Sequence, residues 1–146
     1  MKKIKQLEKY RALNFGSEVL YSVSPDTSLV ECQQQLTKLK IHHLPVEDNS
    51  KVVGILSARD LAPVSNLQFA QKLVASDLMK KDLIGVDHRA DLATVTGLML
   101  EHQVGSVLLQ EDNKAIGIFT TTDAMKALHE VMGEEVAKEK FSITFY

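Results

Sequence analysis

The sequence contains no tryptophan, one cysteine and three prolines, and aromatic residues make up only 5% of it. A lone Cys32 cannot close an intrachain disulfide, which excludes a disulfide-stapled secreted scaffold and fits a reducing compartment. No CxxC pair and no Cys/His spacing suggests zinc, so no metal is expected. No apolar run approaches the roughly 20 residues of a membrane-spanning helix. Lysines open the chain at Lys2, Lys3 and Lys5, but the apolar stretch of about 7–15 residues that a signal peptide requires does not follow. A cytoplasmic location is the expectation. Neither sign of charge dominates: 17 basic residues face 19 acidic ones, for a formal net charge of -2. Without a broad basic field, neither nucleic acid nor a membrane is an expected partner. Walker, GxSxG and HExxH signatures are missing. Ser57, His43 and Asp60 hold the letters of a catalytic triad, but no oxyanion device accompanies them. No enzyme and no cofactor are expected.

What the sequence does contain is a repeat. Hydrophobic residues make up 45% of the 146, enough for one compact domain. Shifting the chain by 63 positions brings Val23 onto Val86, Leu29 onto Leu92, Leu36 onto Met99 and Ile41 onto Val104. Val53-Gly54-Ile55-Leu56-Ser57 falls on Ile116-Gly117-Ile118-Phe119-Thr120, and Asp60 falls on Asp123. The register holds without a gap from Leu20/Leu83 to Asp60/Asp123. Such fixed self-similarity marks two copies of one supersecondary unit.

Each copy predicts the order β-α-β-β-α. Leu20–Val23 and Leu83–Val86 read as short extended segments. Ser28, with Glu31 in capping-box spacing, and Asp91 read as N-caps. Leu29, Cys32, Leu36 and Leu39 form one helical stripe, and Leu92, Val95, Met99 and His102 the other. Leu44–Val46 and Val107–Leu109 read as buried strands. Turns at 47–50 and 111–113 lead into strands Lys51–Leu56 and Lys114–Phe119. Second helices follow at Ala58–Leu61, cut short by Pro63, and at Thr122–Val131. The organisation is then an N-terminal helix in residues 1–15 (a stripe of Ile4, Leu7, Tyr10 and Leu13 over 2–14), repeat one over 16–66, a linker helix and repeat two over 67–135, and a tail over 136–146. Alternation of apolar residues up to Tyr146 suggests a strand in the tail.

With these segments in place, the chain resembles a tandem CBS-domain pair over residues 16–132. The resemblance rests on His42-His43-Leu44-Pro45-Val46 and Gly54-Ile55-Leu56-Ser57-Ala58-Arg59-Asp60 in copy one. In copy two it rests on Gly105-Ser106-Val107-Leu108-Leu109 and Gly117-Ile118-Phe119-Thr120-Thr121-Thr122-Asp123. It implies an α+β fold in which the two repeats pack sheet to sheet about a pseudo-twofold axis and leave two clefts. It further implies a stand-alone regulatory module that binds an adenine nucleotide (AMP, ADP or ATP) and signals by a conformational or dimer change. A homodimer and a separate effector protein are the implied partners. S-adenosylmethionine and dinucleotides remain other adenosine-bearing ligands, and a purely structural dimerisation module with empty clefts is the alternative function.

By that resemblance, one cleft joins Ser57, Arg59 and Asp60 to His42, His43, Leu44 and Pro45, with Ile84 and Gly85 opposite. The other joins Thr120, Asp123 and Ser106, with Tyr21 and Ser22 opposite. An ionised Asp accepts hydrogen bonds only, so Asp60 and Asp123 suit a ribose diol. The hydroxyls of Ser57 and Thr120 stand at helix starts, where phosphates bind. The histidines point to the first cleft as the phosphate-binding one. Helix capping is the plain alternative for both aspartates, and core or interface packing is the expectation for His102.

Overall fold

A computed structural model describes residues 10–19, 21–133, 142 and 144–146. Most of the expected N-terminal helix and of the expected C-terminal strand lies outside the described residues. Within 10–14 the chain forms a 3-10 turn at Ala12–Asn14 rather than an α-helix.

The elements of copy one are β1 (Ser17–Glu18), α1 (Leu29–Leu39), β2 (His43–Asp48), β3 (Lys51–Ser57) and the four-residue α2 (Ala58–Leu61). A 3-10 turn at Gln68–Lys72 and α3 (Ala75–Leu78) lead into copy two. Copy two holds β4 (Gly85–Asp87), α4 (Leu92–His102), β5 (Ser106–Glu111), β6 (Lys114–Thr120) and α5 (Thr121–Gly133).

Local chemistry sets the ends of these elements in pairs. Ser28 Oγ accepts from Glu31 N at 3.2 Å, and Asp91 Oδ1 accepts from Thr94 N at 2.7 Å, so each first helix starts on a side-chain cap. Both helices end on a left-handed residue, Lys40 (φ 54) and Gln103 (φ 53), whose backbone N–H turns back onto the last turn. The hairpins β2–β3 and β5–β6 turn on Asn49-Ser50 and Asp112-Asn113, all four with positive φ, the backbone of a two-residue type I′ turn that matches strand twist.

The sheets reveal a crossing that the sequence did not announce. Val23 bridges Val46 in parallel, and Lys80 bridges Ile55 antiparallel, around the β2–β3 hairpin. In the other sheet, β4 pairs with β5 in parallel and β1 pairs with β6 antiparallel, Ser17 opposite Ile118. The segment leading into each copy therefore closes the sheet of the other copy. The same crossing continues upstream. Leu92 N donates to Tyr10 O and Ala12 N to Ala90 O; Leu29 N donates to Leu73 O and Ala75 N to Thr27 O. Residues 10–18 are thus the structural counterpart of 73–81. The expected boundary at 15/16 falls within residues 10–18, whereas the one at 66/67 lies ahead of residues 73–81.

Burial follows the same arrangement. Copy one's core gathers Val23, Leu29, Cys32, Leu36, Leu44, Val46, Leu56 and Leu61, with Ala75 from the segment leading into copy two. Copy two's core gathers Val95, Met99, Val107, Leu109 and Phe119, with Ala12 from upstream of copy one. A third cluster, Ile55, Leu108 and Ile118, joins sheet to sheet. Burying three such side chains contributes roughly 1.5–3 kcal/mol each. His102 is exposed, so the expected stripe Leu92, Val95, Met99, His102 is apolar and inward only in its first three members. Gly16 is required by close approach: a Cβ there would stand 2.7 Å from the Ile118 carbonyl oxygen, against backbone that cannot swing aside.

Candidate functional site

The stacked sheets leave a cavity of about 570 Å³ on one side of the pseudo-twofold axis. Copy two supplies Ile118, Thr120, Thr122, Asp123 and Lys126 to it. Copy one supplies Tyr21, Lys40, Ile41, His42, His43 and Pro45, and β1 with Val19 forms the remaining wall.

Thr120 and Asp123 sit at the junction of β6 and α5. Asp123 Oδ2 accepts from Thr120 N at 2.9 Å and from Thr120 Oγ1 at 3.0 Å, while Asp123 N donates to Thr120 Oγ1 at 3.3 Å. This is a reciprocal capping box, and it is buried, with Thr120 6% and Asp123 7% exposed. The capping role weighed for Asp123 is therefore real. Both bonds to the carboxylate use Oδ2, and among the described residues Oδ1 accepts none.

The strand β2 explains which of its residues face the cavity. Successive side chains of a strand point to opposite faces. His43 and Pro45 line the cavity, whereas Leu44 and Val46 are wholly buried in copy one's core. Tyr21 lines the cavity, but its neighbour Ser22 does not.

Burial holds the His43 imidazole below its ordinary range by disfavouring the charged form. The Asp123 carboxylate opposes this, His42 adds to it, Asp60 opposes it and Lys80 adds to it. His43 is thus a neutral group poised among charges from both copies.

Asp60, the register partner of Asp123, behaves differently. Ser57 Oγ accepts from Asp60 N at 3.0 Å and caps α2, but the Asp60 carboxylate does not return a bond. Its Oδ2 is shielded from water and has no hydrogen-bond donor among the described residues. Lys80 Nζ stands 3.5 Å from that oxygen. The two observations are compatible: the contact is in ion-pair range but lacks hydrogen-bond geometry.

The structure regroups several expected site residues. Tyr21, Thr120 and Asp123 share the cavity as expected. His42, His43 and Pro45 line the cavity of Asp123, while His43 also stands opposite Ser57 in the β2–β3 register, as expected. The reason is the stacking of the sheets, which turns the cavity face of β2 toward α5. Leu44 is a core residue. Ser57, Arg59, Asp60, Ile84, Gly85, Ser22 and Ser106 lie outside the lining. Arg59 and Gly85 are exposed, Ile84 packs against copy two's core, and Ser106 pairs with Thr120 across the β5–β6 ladder.

Sequence reasoning missed the polar lining residues Ser17, Glu18, Lys40, Thr122 and Lys126. The only local signal was at Lys126, which lies three residues past Asp123 and so on the same helix face. Among the described residues no group of His, Cys, Asp and Glu could hold a metal ion, and no helix is long and apolar enough to cross a membrane.

Comparison with known proteins bears on this geometry. The profile of the CBS domain matches twice, over residues 16–65 and 75–130. An uncharacterized protein of Methanocaldococcus jannaschii is 29% identical over 114 residues, which span 77% of this chain and 38% of that protein. The chain thus covers well under half of that relative's length. The crystal structure of CBSX2 in complex with AMP matches with a TM-score of 0.64 and 28% identity, covering 84% of this chain and 98% of that one. The CBS domain pair of protein MJ0100, solved with 5′-methylthioadenosine and S-adenosyl-L-methionine, matches with a TM-score of 0.67 at 23% identity, over 81% of this chain and 98% of the other.

Proposed function

The chain belongs to the CBS-domain family, and from that premise we propose that it is a regulatory module whose cavity beside Asp123 binds an adenine nucleotide. The observation that carries this reading is the company Asp123 keeps. One cavity of about 570 Å³ holds a buried carboxylate, an aromatic ring at Tyr21, and the basic residues Lys40, His42, His43 and Lys126. That volume lies within the roughly 300–1,000 Å³ typical of small-ligand sites. Asp123 Oδ1 accepts from the ribose hydroxyls. Tyr21, Pro45, Ile41 and Ile118 form the walls for the adenine ring. The lysines and histidines face the phosphates, Lys40 and Lys126 as fixed charges and the histidines as donors. The AMP complex of the similar CBSX2 supports the choice of ligand class.

Signalling needs no chemistry. A ligand that touches both copies and β1 favours whichever arrangement brings them together, and the effect is limited to its differential affinity for the two arrangements. The recipient of the signal is a second protein. The module works as a homodimer in the cytoplasm, where the buried, unpaired thiol of Cys32 stays reduced. The dimer reading rests on the outer face of α5, where Met125, Leu128 and Met132 are exposed in coiled-coil spacing.

The test is isothermal titration of AMP into the wild-type protein and into Asp123→Asn, which keeps a capping side chain. Binding that Asp123→Asn weakens by at least about tenfold, or about 1.4 kcal/mol, is the expected result. Equal affinity in both proteins would place the ligand elsewhere, and no binding would leave the dimerisation role alone.

A further inference from the structure

Of the basic residues around the cavity, His43 is the one drawn in from solvent: Lys40, His42 and Lys126 are exposed, whereas His43 is half-buried. Its place in the fold is between the two copies. In the β2–β3 register it stands opposite Ser57, which caps α2 of copy one, and it lines the cavity together with Thr120 and Asp123 of copy two. Charged groups act on the ring from several elements: Asp123 from α5, the adjacent His42, Asp60 from α2, and Lys80 from the segment leading into copy two. Around the cavity itself, the cations Lys40 and Lys126 are matched in number by Glu18 and Asp123. With both imidazoles neutral, the lining therefore offers no formal net charge to an anion. Among the described residues no hydrogen bond or ion pair occupies the His43 ring, so a ligand displaces no existing bond there.

We infer that His43 makes the cavity's preference for a phosphorylated nucleotide over the bare nucleoside proton-dependent: the phosphate group binds together with a proton taken up by this ring. The inference rests on the nucleotide reading and adds to it a second input, the proton. The physics is reciprocal. In the empty cavity burial is the first influence on the ring and disfavours its charged form; Asp123 opposes this, His42 adds to it, Asp60 opposes it and Lys80 adds to it. A phosphate monoester carries a charge near -2 above its second pKa of about 6. In the cavity it brings negative charge to a half-buried ring that solvent screens less than the exposed lysines, and so favours the imidazolium. By linkage, a phosphate that raises the ring's affinity for a proton is itself bound more tightly once the proton is there. Adenosine brings the ribose and the base but no charge, so it leaves the ring as it is. Histidine suits this role because it changes charge close to physiological pH.

Calorimetric titration of AMP and of adenosine at about pH 8 and about pH 6.5, a range in which AMP stays largely dianionic, tests this. The proteins are wild type, His43→Gln and His42→Gln, with a thermal melt of each at both pH values to confirm folding. In wild type the AMP affinity is expected to rise by at least about threefold toward the lower pH, within the limit of about tenfold per pH unit that one linked proton sets. The adenosine affinity stays constant. Repeating the AMP titration of wild type in two buffers of different ionisation heat should show a net uptake of up to about one proton per AMP. His43→Gln loses both the rise and the uptake, and His42→Gln keeps both. An AMP affinity that does not rise in wild type, an equal rise for adenosine, no proton uptake, or a rise that survives in His43→Gln overturns the proton linkage while leaving the nucleotide reading in place. A rise that His42→Gln abolishes overturns the assignment to His43. No AMP bound by wild type at either pH overturns both readings.

Discussion

Removing the two equivalent aspartates one at a time should have unequal consequences for stability. Asp123→Ala deletes the side-chain half of a buried capping box. Loss of such a cap costs about 1 kcal/mol. The Thr120 N–H, in a residue 6% exposed, is left without its acceptor, and a buried unsatisfied donor costs about 1–3 kcal/mol. The two figures describe overlapping effects, so the expected loss is about 2 kcal/mol rather than their sum. Asp60→Ala removes a carboxylate whose Oδ2 has no hydrogen bond and whose ion-pair partner is 71% exposed. The cap on α2 runs through the Ser57 hydroxyl and the Asp60 backbone N–H, which the substitution keeps. An exposed-side ion pair is worth about 0–1 kcal/mol, so the expected loss is under about 0.5 kcal/mol. For a domain of this size the difference corresponds to a midpoint about 5 °C lower in Asp123→Ala than in Asp60→Ala. Urea and thermal unfolding followed by circular dichroism, without ligand, measure it directly. Equal losses in the two variants, or a larger loss in Asp60→Ala, would refute the assignment of different roles to the two carboxylates.

The His43 imidazole is held below its ordinary value of 6.5 chiefly by burial, so the unfolded chain binds the proton more tightly than the folded one; stability from this group is present above pH 6.5 and is lost as pH falls through the lowered folded value. Urea midpoints compared at pH 7.5 and 5.5 should therefore drop more in wild type than in His43→Gln, and an equal drop in both would show that His43 is not buried as a neutral ring. Leu128→Glu, on the exposed seam of α5, should shift sedimentation from dimer to monomer while the AMP affinity of the monomer persists; a dimer unaffected by this charge would place the contact on another face.

Much of the architecture was legible because it is written locally. The caps at Ser28 and Asp91, the apolar stripes of the first helices and the turn residues at 49–50 and 112–113 each act within a few positions, and the offset of 63 multiplies every such signal by two. The hydroxyl-x-x-acid segments at Ser57–Asp60 and Thr120–Asp123 were likewise found at strand-to-helix junctions, where they stand. What escaped was the exchange of the leading segments. Gly16-Ser17 and Met79-Lys80 occupy equivalent positions but share no side-chain chemistry, because their pairing is made by backbone groups and by the space available. A Cβ on Gly16 meets a carbonyl, and one on Gly54 meets the Met79 side chain. Backbone pairing leaves little trace in residue type. That His42 and His43 also line the cavity of Asp123 was hidden for a related reason: adjacency to Ser57 in the β2–β3 ladder says which strand they neighbour, but the face they turn to is set by how the two sheets stack.

The contrast between Asp60 and Asp123 shows why a short motif fixes a position without fixing a role. Both acids follow a hydroxyl residue by three, both sit at the N3 position of a helix, and both helices begin on that hydroxyl. The backbone geometry is therefore the same, and either carboxylate could fold back onto its cap. At Asp123 it does so, because nothing cationic from the crossing segment competes: Ser17 is short and neutral. At Asp60 the crossing segment delivers Lys80, whose ammonium stands 3.5 Å from Oδ2, and among the described residues that oxygen accepts no hydrogen bond. The residue that differs beside each acid is thus not within its own motif but twenty residues downstream in one case and over a hundred upstream in the other, and it arrives because the two halves exchange their leading strands.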